Sequence, residues 1–412
     1  MVERRSGDRS SFLGPASHAT TWLLALAAVG IAFRLVIVRS SLGSNDILTW
    51  EGFARTIRSD GLTATYWSHA LFNHPPLPGY LASWSLTLAE ALGVRFGIVF
   101  KLFQVLADAI AAFLLWRRWR STSPRAAAVA TALFSWNPVS LLISSHHGNT
   151  DCLCAMLCLL AADLIERRRA LGAGLALGAA INVKLIPVLL IPALALAVRE
   201  RRDLVRFTAG LAIAAVPFLP VLLAAGPAFQ RNALAYRSNV DNWGVNLFVL
   251  QSQGTRLAVV AKRFASYYNP TGRTFILAAM LAIAVAGRLR PVWLAYDLGA
   301  ICFSAFLVLT PGFGIQYIVY PVPLLFAANV RWATKYALLA GLFGLVAYVT
   351  FWTGDWPARS RFIPHYPMPI GLFGLLAWVA LVRYLVEEVA RLGRPAGHAL
   401  AGGLSPRVRA GP

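Results

Sequence analysis

Residues 21–57 read TWLLALAAVGIAFRLVIVRSSLGSNDILTWEGFARTI. The run 21–38 is apolar and long enough to cross a bilayer as a helix, which takes about 20 such residues or somewhat fewer. The chain before it, 1–20, is polar, so the run is expected to stay in the membrane rather than to be removed as a signal peptide. Just past it come Ser44-Asn45-Asp46-Ile47 and then an amphipathic stretch, Ile47 to Ile57. A membrane helix that delivers a carboxylate into a long polar loop sets the reading of everything downstream.

The composition agrees. Of 412 residues, 58% are hydrophobic and only 13% charged, and a soluble fold so apolar has too few polar groups for its surface. The net charge of +21 falls in short clusters between apolar runs, such as Arg117-Arg118 with Arg120, Arg167-Arg168-Arg169, and Arg199 with Arg201-Arg202. That is how cytoplasmic loops of a polytopic protein look. No nucleic-acid-binding motif accompanies the charge, and no nucleic acid is expected as a partner. Cys152, Cys154, Cys158 and Cys302 lie inside apolar runs and read as small packed residues, without a zinc spacing or a disulfide framework.

Hydropathy predicts an all-α polytopic protein with about twelve spans, at 21–38, 98–116, 126–144, 152–165, 170–182, 184–198, 207–225, 274–288, 291–309, 315–330, 333–352 and 370–386. The basic segments 1–9, 117–125, 166–169, 199–206, 287–290, 331–335 and 383–394 are placed in the cytoplasm. Residues 170–198 then form a hairpin of two short helices. Segment 79–97 reads as a helix at the outer surface, and 39–97, 145–151, 226–273 and 353–369 face outward. The organisation is a cytoplasmic segment 1–20, a membrane domain 21–386 and a cytoplasmic tail 387–412. Residues 394–412, rich in Gly, Pro and Arg, read as disordered.

Acidic residues are scarce, so each is informative. Glu166, Glu200, Asp203, Glu387 and Glu388 fall at cytoplasmic helix ends and read as solvated. Asp46 reads as a helix N-cap, a base, or both; Glu51 follows on the same amphipathic run. Asn73-His74-Pro75-Pro76-Leu77 is a rigid turn, either a plain lead into a helix or part of a site. His146-His147-Gly148-Asn149-Thr150-Asp151 suits hydrogen bonding to a substrate or a neighbouring loop better than metal binding, because its spacing is not that of metal ligands. Lys184 is a cation in an apolar hairpin. It either snorkels to the interface or meets an anion: Asp108, Asp151 or a lipid phosphate. The loop 236–248, with Asn242-Trp243, suits a sugar ring and its hydroxyls, or is ordinary turn chemistry. Gln316 opens another outer helix end, and Arg359, Arg361 and His365 in the last outer loop suit phosphate.

Taken in order, these motifs resemble the GT-C glycosyltransferases, which draw sugars from polyprenyl-phosphate carriers. The likeness is to bacterial polyprenyl-phosphate-mannose-dependent transferases and, more distantly, to endoplasmic-reticulum enzymes that use dolichyl-phosphate-glucose. It spans roughly 20–385 and rests on Asp46, His74 to Leu77, His146 to Asp151, Lys184 with Pro187, and Asn242-Trp243. It implies Asp46 as general base, with Glu51, His74, His147, Asn149, Asp151, Asn242, Trp243 and Gln316 around the acceptor. Lys184, Arg359, Arg361 and His365 would hold the donor phosphate. The glucosyltransferases carry His-Glu-Lys where this chain has Gln316-Tyr317-Ile318, so no histidine role carries over there. The Asp-x-Asp metal motif of oligosaccharyltransferases is absent, and neither a metal nor another cofactor is expected. The partners implied are a polyprenyl-phosphate-sugar donor, a lipid or glycan acceptor, and membrane lipids. The expected site is the outer face of the inner membrane, with an inverting single displacement that moves mannose. A lipid-linked sugar transporter or flippase would show paired, interrupted halves, and none are visible. A polysaccharide polymerase or ligase fits the order of motifs less well.

Overall fold

Apolar runs bounded by arginines, glycines and prolines become helices throughout the chain. The computed structural model describes residues 15–240, 243–289, 292–350 and 368–392. In chain order the helices are α1 (Pro15–Ser40), α2 (Asn45–Asp60), α3 (Leu62–Ser68), α4 (Pro76–Ala91), α5 (Phe96–Trp119), α6 (Pro124–Ser135), α7 (Pro138–Leu141), α8 (Asp151–Glu166), α9 (Ala170–Val183), α10 (Ile191–Ala197), α11 (Arg201–Ala215), α12 (Phe218–Phe229), α13 (Gly244–Gln251), α14 (Ala258–Leu289), α15 (Ala295–Leu309), α16 (Pro321–Ala328), α17 (Val330–Thr350) and α18 (Met368–Leu392). Among the described residues there is no strand, only a single bridge between Asn239 and Phe313.

The chain is an integral membrane protein. Helices α1, α5, α14, α17 and α18 are long and apolar enough to cross a bilayer, and the bent pairs α6–α7 (42°) and α11–α12 (61°) raise the number to at most seven. The count of about twelve is therefore not reached on length and composition. The segments expected at 152–165, 170–182, 184–198, 291–309 and 315–330 fold as shorter helices. At about 1.5 Å per residue, a 16-residue helix such as α8 is about 24 Å long against a hydrocarbon layer of roughly 30 Å. Extended backbone at Lys184 and the prolines Pro187 and Pro192 divide the expected 184–198 helix into a 3-10 turn, Ile186–Leu190, followed by α10. Conversely, α14 begins inside the expected outer segment 226–273. Its 32 residues make it about 48 Å long, so it projects well beyond the apolar layer.

Two kinds of contact hold the bundle where lipid offers no hydrophobic drive between helices. One is close backbone approach. A Cβ on Gly174 of α9 would lie 2.0 Å from the Phe207 carbonyl oxygen of α11, and one on Gly210 would lie 2.3 Å from the Leu171 oxygen. A Cβ on Gly178 would meet Ala214 at 2.4 Å, so these glycines let α9 and α11 touch main chain to main chain. The other is buried polar pairing. Arg34, fully buried in α1, bonds Asp108 of α5 at 3.0 Å and also donates to the Ser135 carbonyl of α6.

The end of the bundle that carries the basic loops is tied by carboxylates. Asp163 accepts from Arg117, from Arg167 at 2.8 Å and from the Tyr296 hydroxyl at 2.8 Å. Glu166 takes the Ala295 N–H at 2.7 Å, Glu387 the Trp332 indole at 2.7 Å, and Glu388 the Trp293 indole at 3.1 Å and Arg391 at 2.8 Å. Glu388 is only 2% exposed, so the solvated reading is corrected for Glu388, whereas Glu166 and Glu387 keep exposed surface beside their bonds. The reason is its position, where the end of α18 meets Trp293 just ahead of α15. Glu200, paired to Arg168, does stay exposed.

At the other end, α2, α3 and α4 fill the long first loop. Ile47, Trp50, Phe53, Ala54 and Ile57 form the buried stripe of α2, spaced as one helical face requires. With Phe72, Tyr66, Leu62 and Phe229 they make a second, smaller core. Pro75 and Pro76 start α4 as N-cap and first helical residue, a position where proline loses no hydrogen bond. Asn232, just past α12, ties that part of the chain to this cap by donating to the Tyr66 and His69 carbonyls.

Candidate active site

The loop after α1 and the turn before α8 are stitched together. Ser44 donates from its N–H (3.2 Å) and its hydroxyl (2.7 Å) to the His147 carbonyl. Ser41 shares a 2.5 Å hydrogen bond with Nδ1 of His146, and Lys101 of α5 donates to the Ser41 carbonyl at 2.9 Å. Gly148, at φ +77°, makes the turn possible; a Cβ there would also strike Ile47 at 2.2 Å. A stretch of α1–α2 and a turn more than 100 residues later thus become one rigid unit.

This unit fixes Asp46. The N-cap of α2 is Ser44, whose hydroxyl accepts the Asp46 N–H at 3.3 Å, so the Asp46 carboxylate is not spent on capping. Its Oδ2 accepts Asn149 Nδ2 at 2.6 Å and lies 3.2 Å from His147 Nε2. Among the described residues no donor reaches Oδ1, and the side chain keeps 38% of its surface exposed. Burial pushes the carboxyl up, but the proximity of His147, the bond from Asn149 and the charge of Lys184 outweigh it and hold it at about 2. The group is ionised at any physiological pH. His147 is buried, and its Nδ1 lies 2.7 Å from the hydroxyl of Tyr348 in α17.

His74 stands beside this group. Its ring packs on Trp50 with centroids 4.5 Å apart, and its carbonyl accepts the Tyr66 hydroxyl at 2.7 Å. Burial first, then the charge of Lys184, push its imidazole down to about 3 against the pull of Asp46, so it is neutral.

Lys184 finds its anion in Asp151. Its Nζ contacts both carboxylate oxygens, at 2.9 and 3.0 Å, and the Tyr320 hydroxyl donates to Oδ1 at 2.6 Å. The Tyr317 ring lies 5.8 Å from Nζ, within cation–π range. Of the partners left open for Lys184, Asp108 is engaged by Arg34 instead, and simple snorkelling gives way to a buried ion pair.

The remaining expected residues scatter. Glu51 pairs with Arg55 at 2.6 Å and lines a cavity of about 230 Å³ with Ser41, Ile47, Glu90 and Arg95, which Asp46 does not line. Trp243 is corrected: it is 1% exposed, stacks on Phe313 at 4.5 Å and donates to the Leu307 carbonyl, leaving no face for a sugar. An indole in a polar loop finds a dry place here because Phe313 and Phe343 fold over it. Gln316 is half-buried, folded back toward Gly314; its neighbour Tyr317 is the one that reaches Lys184. Asn242, Arg359, Arg361 and His365 lie outside the described residues, as do 1–9 and the tail 394–412.

Among solved structures, ArnT from Cupriavidus metallidurans bound to undecaprenyl phosphate superposes with a TM-score of 0.51 at 15% identity, over 90% of this chain and 78% of that one. This chain has the GT-C fold. The same ArnT in its apo state gives 0.49 at 16% identity, over 90% and 77%. Residues 73–223 match the family model described as dolichyl-phosphate-mannose-protein mannosyltransferase. That match contains His74, the 146–151 turn and Lys184 but begins after Asp46. Within this GT-C fold the sequence reading missed Ser44, Tyr320 and Tyr348. Ser44, three residues before an apolar helical position and ahead of Asp46, carried a capping signal. Nothing local marked the two tyrosines.

Proposed function

We propose that the protein is a glycosyltransferase that moves a sugar, mannose by resemblance, from a polyprenyl-phosphate carrier to a hydroxyl of a lipid or glycan acceptor. The reaction takes place on the outer face of the inner membrane and inverts the anomeric centre. The observation that carries this reading is Asp46: an ionised carboxylate anchored through Oδ2, with Oδ1 open and part of the side chain exposed, among polar groups that are otherwise buried.

Asp46 acts as the base. A carboxylate held at about 2 is a weak base toward a resting hydroxyl. It is sufficient when the acceptor oxygen bonds the anomeric carbon before losing its proton, because that oxygen is then strongly acidic. The leaving lipid phosphate needs no protonation but does need its charge held. The Lys184 ammonium has three donors, and Asp151 takes two; the third is proposed for the phosphate, with Arg359, Arg361 and His365 as further contacts. His74, Asn149, Asn242 and Gln316 are proposed to border the acceptor.

The test is turnover by the purified full-length chain, followed as release of polyprenyl phosphate from polyprenyl-phosphate-mannose with membrane glycolipids as acceptors. Asp46→Asn keeps the Ser44 cap, so it should fold and bind donor, yet lose about a hundred- to ten-thousand-fold in rate. Near wild-type turnover by this variant removes Asp46 as the base. No release from any polyprenyl-phosphate hexose by the wild type removes the donor class.

A further inference from the structure

We propose that Tyr348 is a positioning residue for this reaction: its hydroxyl donates to Nδ1 of His147 and so fixes the imidazole as the tautomer whose Nε2–H faces the Asp46 carboxylate. This inference rests on the reading of Asp46 as the base. A neutral imidazole carries a single N–H, and the hydrogen bond at one nitrogen decides what the other presents. The 2.7 Å contact joins α17 to a turn 201 residues earlier, and both side chains are buried. Nε2 lies 3.2 Å from Asp46 Oδ2 but is not aligned with it as a straight hydrogen bond and has no other partner. This contact therefore depends on which species of His147 is present.

The two tautomers have opposite effects. With the proton on Nε2, His147 draws Oδ2 inward beside Asn149 and leaves Oδ1 turned toward the acceptor. With the proton on Nδ1, a lone pair faces an ionised oxygen at 3.2 Å, repels it, and loosens the carboxylate from its Asn149 anchor. Protonated His147 carries both N–H groups, so its side facing Asp46 is the same whether or not Tyr348 is present. Among the described residues, the charged and titratable groups around His147 are Asp46 of α2, Tyr348 of α17 and His146 of its own turn. Beyond them, Lys101 of α5 acts through His146 and Lys184 through Asp46. Asp46 and His74 do not change charge between about pH 5 and pH 8, since they are held at about 2 and about 3.

The experiment measures kcat and KM for the donor separately, at fixed pH, with the purified full-length chain, wild type against Tyr348→Phe. Phenylalanine retains the ring that packs at 5.0 and 5.7 Å from His146 and His147, so the variant should fold. Losing one positioning hydrogen bond should lower kcat about twofold to tenfold at about pH 8, with KM for the donor unchanged. In a His147→Gln background, where no tautomer exists, adding Tyr348→Phe should change nothing further. An unchanged kcat, a loss confined to KM, or an equal loss in the His147→Gln background overturns the proposal. Asp46→Asn in the same assay separates the two readings: if it is inactive, the outcome bears on Tyr348 alone, whereas an active Asp46→Asn enzyme overturns the base assignment and this inference together.

Discussion

Lys184→Met tests whether the buried cation holds the fold or only waits for a ligand. In the native protein Lys184 and Asp151 have side chains 8% and 0% exposed. Removing the ammonium leaves a carboxylate in a dry site, which typically costs about 3–5 kcal/mol. Tyr320 still donates to one oxygen, so the lower end, about 3 kcal/mol, is expected, or roughly a hundredfold in the unfolding equilibrium. The assay is unfolding of the detergent-solubilised protein in a graded denaturing detergent, followed by circular dichroism. The double variant Lys184→Met with Asp151→Asn removes the stranded charge while keeping an acceptor for Tyr320, and should recover at least about 1 kcal/mol of the loss. A single variant within about 0.5 kcal/mol of wild type, the usual range for surface substitutions, would refute the buried-pair argument. So would a second substitution that deepens the loss. Donor binding is then measured under conditions where the variant is folded; unchanged affinity would remove Lys184 from the phosphate site without touching its structural role.

Other outcomes follow from the same geometry. Gly174→Ala should destabilise by about 1–3 kcal/mol in that unfolding assay, because its Cβ would sit on the Phe207 carbonyl, whereas Gly172→Ala, with nearest contact 3.4 Å away, should be neutral or stabilising. His74 is neutral when folded and takes a proton more readily when unfolded, so stability should fall as pH drops from about 6.5 toward about 3; in His74→Phe, which keeps the stack on Trp50, that fall should be shallower in acid titrations of unfolding. Ser68→Cys, exposed on α3, should react with an impermeant maleimide on intact cells over a low background, since the four native cysteines are buried. Reaction only after permeabilisation would reverse the proposed orientation.

The long spans were legible because length and hydropathy are local. The runs expected at 98–116 and 333–352 are α5 and α17 to within a few residues. The motifs His74 to Leu77 and 146–151 could be picked out from residue type alone, and with Asp46 they do assemble around one carboxylate. What failed depends on partners far away in sequence. Whether an indole in a polar loop meets solvent or Phe313 is not written near Trp243. Glu388 looked solvated because nothing beside it announces Trp293. The close crossing of α9 and α11 was available as Gly174 and Gly178 set four apart opposite Gly210 and Ala214, a pattern in which small residues mark helix contact. Tyr348 has no such signature; only the fold brings it to His147.

Arg34 bears on how the protein is made. An arginine at the centre of a membrane helix opposes insertion by about 2.5–3.5 kcal/mol; Arg34 lies six residues from the end of α1, where the cost is smaller, and its counter-ion Asp108 is synthesised 74 residues later. During synthesis Arg34 is therefore without its final partners until α5 emerges, and Ser135 of α6 completes the arginine's shell later still. The loop that bears Asp46 hangs from the end of this same helix. About a third of the chain is thus made before the loop that bears Asp46 hangs from a settled helix, so a nascent fragment ending short of α6 should be less stably inserted than one that includes it.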